Sequence, residues 1–351
     1  MTGKIRCAVV GCGVIGAVHA ELLSAMPSVE LVACCDVVPE RAAEFAHRYS
    51  APRWTADYAH VLADPTIDSV TICTPHCLHA PMIVQAARAG KHVLVEKPLA
   101  MDPASASQAV AECRLRGVRL GVCLQNRRNA ATVQVLRALE EGLLGHVLMV
   151  TAQVLWYRGE DYYTGSPWRG HWATEGGGVL INQAIHTLDL VALFGGGVRS
   201  VSAHIATLGH SSIEVEDVAS AVLQFASGAL GSFVATTCAF PGSEVRIDVI
   251  GTQGSATIVG QDLVRFATVD GRSQPLVVDE GNGRLAVPSK EYYGSSHGLV
   301  IEDYVAAIQE DRDPQITGED GQESVEILAA IYASAKTGCE QAVTRPRPAL
   351  A

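Results

Sequence analysis

The sequence lacks the features that mark nucleic-acid-binding and membrane proteins. Its 26 lysines and arginines are outnumbered by 37 acidic residues, which gives a net charge of −11. Such a chain offers no cationic surface for a nucleic-acid backbone or for anionic lipids. It also has no run of about 18 uncharged apolar residues, so no transmembrane helix is predicted. We therefore expect neither nucleic acid nor a membrane as a partner.

The ten cysteines lack the spacing of zinc or redox motifs. No two of them form a CxxC pair, and most lie inside apolar runs. We interpret them as small core residues in a reducing compartment, and we predict no metal site. The first residues lead directly into a strand pattern without a cleavable signal. Together these features predict a cytoplasmic protein.

The pattern of hydrophobicity changes near residue 125. Up to residue 124, short β-branched runs alternate with amphipathic stretches, which is typical of parallel strands joined by crossover helices. After about residue 145, longer strand-like runs predict a mostly antiparallel open sheet, interrupted by one apolar helix over 177–194. We therefore predict an α/β protein with a doubly wound parallel sheet over 1–125 and a second α/β domain over 126–351.

A dinucleotide-binding motif follows the first predicted strand. It contains the GxGxxG glycines and the start of a helix: Gly11, Gly13, Val14, Ile15 and Gly16. The glycines permit a tight turn, close approach of a pyrophosphate and close helix packing, and the helix N-terminus offers free N–H groups to phosphates. Asp36 ends the second strand, where a carboxylate binds ribose hydroxyls and favours NAD over NADP. NADP is a less favoured alternative cofactor, because Arg41 is close enough in sequence to bind its additional phosphate.

Three further motifs extend along the chain. They are "TPHCLHAPMIVQAARAGKHVLVEKPLA" from residue 74, "GGGVLINQAIHTLDL" from residue 176 and "HGLVIEDYVAAIQEDRDPQITGEDG" from residue 297. With the glycine motif, they make the chain resemble the Gfo/Idh/MocA family of NAD(P)-dependent oxidoreductases. The resemblance implies an N-terminal Rossmann domain and a C-terminal domain with a large open sheet, through which many members form homodimers or homotetramers.

The resemblance, together with positions at strand ends, predicts further cofactor contacts. They are Thr74, Pro75, His79, Glu96, Lys97, Gln125, Trp168 and Arg169. In the family the peptide before the proline of "EKP", here Pro98, is often cis.

Lys97 is the predicted acid/base. It lies just past the end of a predicted parallel strand, and ligands of open α/β sheets bind beyond such ends. Partial desolvation beside a cationic nicotinamide disfavours the charged amine, so the side chain can exchange a proton near neutral pH. The alternative is an exposed lysine that pairs with Glu96 on a turn.

The predicted helix over 177–194 carries a polar stripe of Asn182, His186 and Asp189 on an otherwise apolar surface. Family members often have aspartate at position 182, and asparagine cannot carry a proton there. We therefore predict that His186 is a hydroxyl partner and possible relay, and that Asn182 positions the substrate. The alternative for His186 is a core histidine bonded to a backbone carbonyl, and Asp189 is predicted to be a structural partner.

An aromatic loop over 162–172 precedes this helix and suits a wall against a sugar ring. The predicted substrate contacts are Lys97, Asn126, Tyr163, Trp168, His171, Asn182 and His186. Near the last long helices, Tyr292, Tyr293 and His297 are candidates to close the site.

The leading functional hypothesis is an NAD-dependent dehydrogenase that oxidises a secondary hydroxyl, of C3 type, on a sugar, a sugar derivative or inositol. Two alternatives stay open. One is a non-catalytic regulator that senses NAD, and the other is an NAD-dependent glycosidase that works through transient oxidation at C3.

Overall fold

A computed structural model describes residues 3–271, 273 and 296–344. The chain forms two compact units, residues 1–125 with 283–322 and residues 126–282 with 323–351. The hydrophobicity pattern had placed everything after residue 125 in the second domain. The later segment joins the first unit because its helix buries Tyr304, whose hydroxyl lies 2.7 Å from that of Ser69.

The first unit is built on a parallel sheet with the order β3-β2-β1-β4-β5-β6, which is the order of a Rossmann fold. Numbered along the chain, its strands are β1 (Ile5–Val10), β2 (Val29–Cys35), β3 (Arg53–Thr55), β4 (Ser69–Ile72), β5 (His92–Val95) and β6 (Leu120–Val122). Its helices are α1 (Val14–Ala25), α2 (Pro39–Arg48), α3 (Tyr58–Ala63), α4 (His76–Arg88), α5 (Pro103–Arg116) and, between the two segments of the second unit, α10 (His297–Glu310).

Local chemistry sets the ends of these helices. The side chain of Asp102 caps α5 by accepting the N–H of Ser105 at 2.9 Å, and Pro103 occupies the first turn, where no N–H is needed. The same helix ends at Gly117, which has a left-handed φ of 64°. Strand β3 and helix α3 were not predicted, because both are too short to show a periodic pattern.

The second unit contains an eight-stranded sheet with the order β13-β12-β11-β7-β10-β9-β8-β14. Its strands are β7 (Val147–Leu155), β8 (Val198–Ala206), β9 (Val218–Phe225), β10 (Leu230–Thr236), β11 (Arg246–Gly251), β12 (Gly254–Val259), β13 (Asp262–Thr268) and β14 (Gln341–Ala342). Among the described strands of this sheet, only β7 and β10 pair in parallel, so the predicted mostly antiparallel sheet is confirmed.

One face of this sheet is covered by helices. After the 3-10 turn Gln125–Arg128, the helices of this unit are α6 (Ala130–Glu140), α7 (Glu160–Thr164), α8 (Val179–Asn182), α9 (Ile185–Gly195) and, from residue 323 on, α11 (Gly318–Thr337). The core is formed by α9 residues such as Leu188 and Phe194 with inward-facing strand residues such as Phe233, all of them buried. The burial of apolar surface at this face is the main source of stability for the unit.

The predicted helix over 177–194 is two helices. The chain leaves the helical pattern after Asn182, where the N–H of Ala184 bonds to the carbonyl of Val179 at 2.8 Å, five residues earlier. Asn182 therefore ends α8, whereas His186 and Asp189 lie on α9. A single helical stripe does not describe these three residues.

All ten cysteines are free thiols, and most are buried. Burial raises the pKa of thiols such as Cys113 to about 12, which keeps them protonated and unreactive. No helix within the described ranges is both long and apolar enough to cross a bilayer.

Candidate active site

The glycine loop after β1 forms a cradle. Gly11 has a left-handed φ of 96°, and a Cβ on it would lie 2.5 Å from the carbonyl oxygen of Cys73. A Cβ on Gly16 would lie 2.1 Å from the carbonyl oxygen of Gly11, whereas one on Gly13 would meet nothing within 4 Å. No side chain caps α1, which begins at Val14. The cradle therefore leaves open space and helical N–H groups, the arrangement that binds a pyrophosphate.

Asp36 is held in place at the end of β2. Its Oδ2 accepts the N–H of Cys12 and its Oδ1 accepts the N–H of Val38, each at 2.9 Å. The guanidinium of Arg41 lies 3.4 Å from both carboxylate oxygens. Because Arg41 is paired with this carboxylate, the site fits the ribose hydroxyls of NAD better than the phosphate of NADP.

Other predicted cofactor residues share the edge of the sheet with the glycine loop. Thr74 follows β4, Lys97 follows β5 and Gln125 follows β6, all at the carboxyl end of the sheet. Strands β1, β4 and β5 are neighbours, so the end of β5 lies roughly 10 Å from that of β1. Lys97 is partly exposed at this edge, and Gln125 is buried.

His79 connects two of these loops. Its Nδ1 lies 2.6 Å from the carbonyl oxygen of Pro98 and its Nε2 lies 2.8 Å from that of Thr74. The ring is fully buried, which lowers the pKa of His79, while the two carbonyl contacts raise it, because a neutral imidazole has only one N–H to donate. The Lys97–Pro98 peptide is cis. His79 therefore holds the loops after β4 and β5 together from within the unit.

Glu96 lies in a buried cluster that the sequence did not reveal. Its Oε1 is 2.8 Å from Nε2 of His19 and 3.7 Å from Nε2 of His297. Burial alone would raise the pKa of Glu96, but the hydrogen bond from His19 and the nearby charges of His297 and Lys97 hold it well below its ordinary value. His297 is thus buried in the first unit, and Tyr292 and Tyr293 lie outside the described residues.

In the second unit, a buried carboxylate fixes the start of α8. Glu216 accepts the N–H of Gly178 at 2.9 Å and that of Leu180 at 3.0 Å, and the hydroxyl of Tyr332 donates to it at 3.1 Å. Burial raises the pKa of Glu216 to about 7 against the lowering effect of these bonds. This carboxylate positions the short helix that carries Asn182.

Asn182 contacts Glu175, which sequence reasoning missed, and Tyr162, which lies in the predicted aromatic loop. Its Nδ2 donates to Oε1 of Glu175 and lies 3.4 Å from the hydroxyl of Tyr162. The guanidinium of Arg169 lies over the rings of Tyr162 and Trp168, 4.2 and 5.2 Å from their centroids. Polar and aromatic side chains therefore gather around the end of α8.

The remaining predicted substrate contacts differ in their exposure to solvent. Tyr163 is buried, with its hydroxyl 3.1 Å from that of Thr237, so its neighbour Tyr162 is the tyrosine beside Asn182. His171 is half exposed, 3.5 Å from Glu214. Asn126 and His186 are partly buried.

Asp189 forms a buried ion pair with Arg127, whose Nε and Nη2 lie 2.7 and 2.6 Å from the carboxylate oxygens. It therefore has the structural role that was expected of it. Contacts of the site residues with cofactor and substrate stay predictions.

Comparison with known proteins identifies the family. Residues 5–124 match the family model described as "Oxidoreductase family, NAD-binding Rossmann fold", and residues 132–257 match that of the "GFO/IDH/MocA C-terminal domain". The inositol 2-dehydrogenase of Rhizobium meliloti is 30% identical over 94% of this chain and 96% of its own length. The chain belongs to the GFO/IDH/MocA family of oxidoreductases.

Two further relatives match over nearly their whole length. The scyllo-inositol 2-dehydrogenase (NAD(+)) of Bacillus subtilis is 28% identical, with 96% of each chain covered. The WlbA dehydrogenase of Bordetella pertussis, solved with NADH and UDP-GlcNAcA, is 32% identical with a TM-score of 0.85, and the match covers 97% of this chain and 99% of that one. The predicted family, fold and NAD cofactor are therefore confirmed.

Proposed function

We propose that this oxidoreductase is an NAD-dependent dehydrogenase of a sugar, a sugar derivative or inositol, and that it oxidises a secondary hydroxyl of C3 type. The glycine cradle and Asp36 would hold NAD, which would supply the hydride acceptor for the conversion of CH–OH to C=O with release of one proton. The observation that carries the proposal is the position of Lys97, which follows β5 at the same sheet edge as the glycine cradle. Ligands of such sheets bind beyond this edge.

Lys97 has the role of acid/base. As a neutral amine it takes the hydroxyl proton while the carbon loses its hydride, and it then returns the proton to solvent. In the second unit, the imidazole of His186 binds a substrate hydroxyl, and the amide of Asn182 positions the ring. Neither Asn182 nor the buried pair of Arg127 and Asp189 has to change its protonation state.

The substrate class is supported by the relatives and by the second unit. Two of the relatives are named for inositols, and the structure of a third holds UDP-GlcNAcA. A wall of amide, hydroxyl and aromatic groups around Asn182 suits a ring with many hydroxyls better than an apolar substrate.

A substrate panel tests the proposed reaction. Purified protein is mixed with NAD and with inositols, levoglucosan, free pyranoses and UDP-GlcNAcA, while the absorbance of NADH is followed. We expect NADH to form with at least one of them. NAD binding without any turnover would favour the regulator, and release of UDP from UDP-GlcNAcA without net NADH would favour the glycosidase.

Substitution of Lys97 tests its role. We expect K97A to lower kcat by about 100-fold or more and to leave the Kd for NAD nearly unchanged, because the proton acceptor is lost while the cradle is intact. K97R keeps the positive charge but cannot act as a base, so it should be as inactive as K97A. K4A, at an exposed lysine, is the control. Near-normal turnover by K97A or K97R would remove Lys97 from the proposed mechanism.

We also propose that the protein is a homodimer or homotetramer joined through the open face of the second unit's sheet. Across three neighbouring strands, Ile250, Met149 and Leu230 lie directly opposite one another, and each is at least 40% exposed. A row of exposed apolar side chains on a sheet face is typical of a surface that is covered by another chain.

A further inference from the structure

Glu175 is a carboxylate without any exposed surface, in the loop before α8. Its Oε2 accepts the N–H of Gly170 at 2.6 Å, and its Oε1 accepts a hydrogen bond from Nδ2 of Asn182. A buried carboxylate is tolerated only where hydrogen bonds offset its desolvation. These two bonds therefore contribute to fixing Glu175 in one position, and Asn182 supplies one of them.

The chemistry of the two groups sets the orientation of the Asn182 amide. An ionised carboxylate only accepts hydrogen bonds, whereas an asparagine amide donates from its NH₂ and accepts at its carbonyl oxygen. The NH₂ must therefore face Glu175, and Oδ1 lies on the other side of the amide. The hydroxyl of Tyr162, 3.4 Å from the same Nδ2, accepts on the NH₂ side as well.

We propose that Glu175 is a positioning residue that makes Asn182 a hydrogen-bond acceptor for the substrate. This inference rests on the proposed function and deepens it. Oδ1 of Asn182 then selects a substrate with a donor at that position, either a hydroxyl or an amide N–H. A methyl ether or a carboxylate there would set two acceptors against each other, which a site built around a hydrogen bond rejects strongly.

The same pair explains why asparagine suits position 182 in this chain. An aspartate at position 182 would place two carboxylates in contact, and one of them would have to hold a proton. Because Glu175 already supplies a buried carboxylate, the neutral amide is its complementary partner. The choice of residue at position 182 is therefore coupled to Glu175.

A double-mutant cycle tests the coupling, with kcat/KM measured on the most active substrate of the panel. E175Q and N182D should each lower kcat/KM by about tenfold or more, because E175Q sets two donors against each other and N182D forces one of the two carboxyl groups to hold a proton. In E175Q/N182D, the NH₂ of the introduced glutamine can donate to the introduced aspartate, while the glutamine oxygen accepts from Gly170. We expect the double variant to recover most of the loss, with the Kd for NAD unchanged throughout.

N182A provides the matched control background. Without an amide to orient, adding E175Q should leave kcat/KM of N182A unchanged. If E175Q lowers kcat/KM equally in both backgrounds, or if the double variant loses the product of the single losses, Glu175 has only a structural role and the proposal is wrong. Wild-type activity on the panel is established first, so failure of the cycle is distinct from failure of the proposed function.

The orientation itself can be read by NMR without any activity. In isotope-labelled protein, the side-chain NH₂ resonances of Asn182 are identified as those absent from N182D. We expect E175Q to shift them, because their acceptor is replaced. If E175Q does not fold, two measurements on the wild type replace it. The proposal then predicts that the NH₂ protons of Asn182 are protected from exchange and that O-methyl analogues of the substrate are not turned over. Rapidly exchanging NH₂ protons or full activity on such analogues would overturn the proposal.

Discussion

The imidazole Nε2 of His19 lies 2.8 Å from Oε1 of Glu96, and this contact ties helix α1 to the residue before Lys97. Glu96 in turn accepts the main-chain N–H of Lys97 at 3.2 Å. The side chains of His19 and Glu96 are both buried. The helix that begins at the glycine cradle is therefore connected through one carboxylate to the backbone of the proposed acid/base.

Removal of the His19 donor should weaken the first unit. H19L leaves the buried carboxylate of Glu96 with one donor fewer, so we expect a loss of about 1–3 kcal/mol in the free energy of unfolding. H19Q keeps a donor and should lose less. Urea denaturation of the three proteins near neutral pH measures the difference, and equal losses for H19L and H19Q would show that packing, not the hydrogen bond, is responsible.

The same contact predicts a dependence on pH. Because the folded state lowers the pKa of Glu96, its contribution to stability is present above the unfolded value of about 4.5 and is lost as the pH falls below it. The gap between wild type and H19L should therefore narrow below about pH 4.5. A gap that stays constant into acid would contradict this assignment.

The buried ion pair of Arg127 and Asp189 should be costly to break. D189N leaves the guanidinium buried beside a neutral group, so we expect a loss of about 3–5 kcal/mol in the free energy of unfolding. R127M/D189L removes both charges and should lose less than D189N. R88A breaks the more exposed contact of Arg88 with Glu112 and should cost far less than D189N, because solvent screens an exposed ion pair. A D189N loss as small as that of R88A would mean that water reaches the Arg127 site.

Glu216 should make the stability of the protein change with pH in the opposite direction. Its folded pKa, raised by burial to about 7, lies above its unfolded value of 4.5, so the folded state holds a proton that the unfolded state releases. The free energy of unfolding should therefore fall as the pH rises between these values, by at most about 1.4 kcal/mol per pH unit. E216Q removes this dependence, whereas E214Q, at a half-exposed neighbour, keeps it. Parallel curves for wild type and E216Q in urea would contradict the prediction.

The open sheet face makes a prediction about assembly. L230K places a charge within the row formed with Met149 and Ile250, and it should shift the protein towards smaller species because a buried lysine is costly. Analytical ultracentrifugation measures the change. A lysine at Val264, which is exposed on β13, is the control for added charge. An unchanged mass for L230K would exclude this face as the interface.

The parts of the molecule that follow from short-range patterns were predictable. Gly11, Gly13 and Gly16 are spaced for one turn between a strand and a helix, so their role can be read from the sequence. The contact of Glu175 with Asn182 could not be predicted from the sequence. It depends on how the intervening turn folds, with Gly176 at a left-handed φ of 83°. The only signal was an acidic residue before three glycines.

Residues brought together from distant parts of the chain were equally hidden. His297 reaches Glu96 only because α10 returns to the first unit, and no periodicity in the sequence records that return. The sequence also gives no sign of the break between α8 and α9, since the apolar pattern continues through Ile185 without interruption. Sequence patterns report which face of an element is buried, and they do not report what covers it.

The return of α10 has a consequence for biosynthesis. Tyr304 packs against Ser69 across 235 residues of sequence, and the whole second unit up to β13 is translated between them. Until the ribosome has released α10, the nascent Rossmann sheet lacks part of its cover and exposes apolar surface, the state in which chains aggregate. The unit that emerges first from the ribosome is therefore completed almost last. It can misassemble during the whole interval between the synthesis of its sheet and the synthesis of α10.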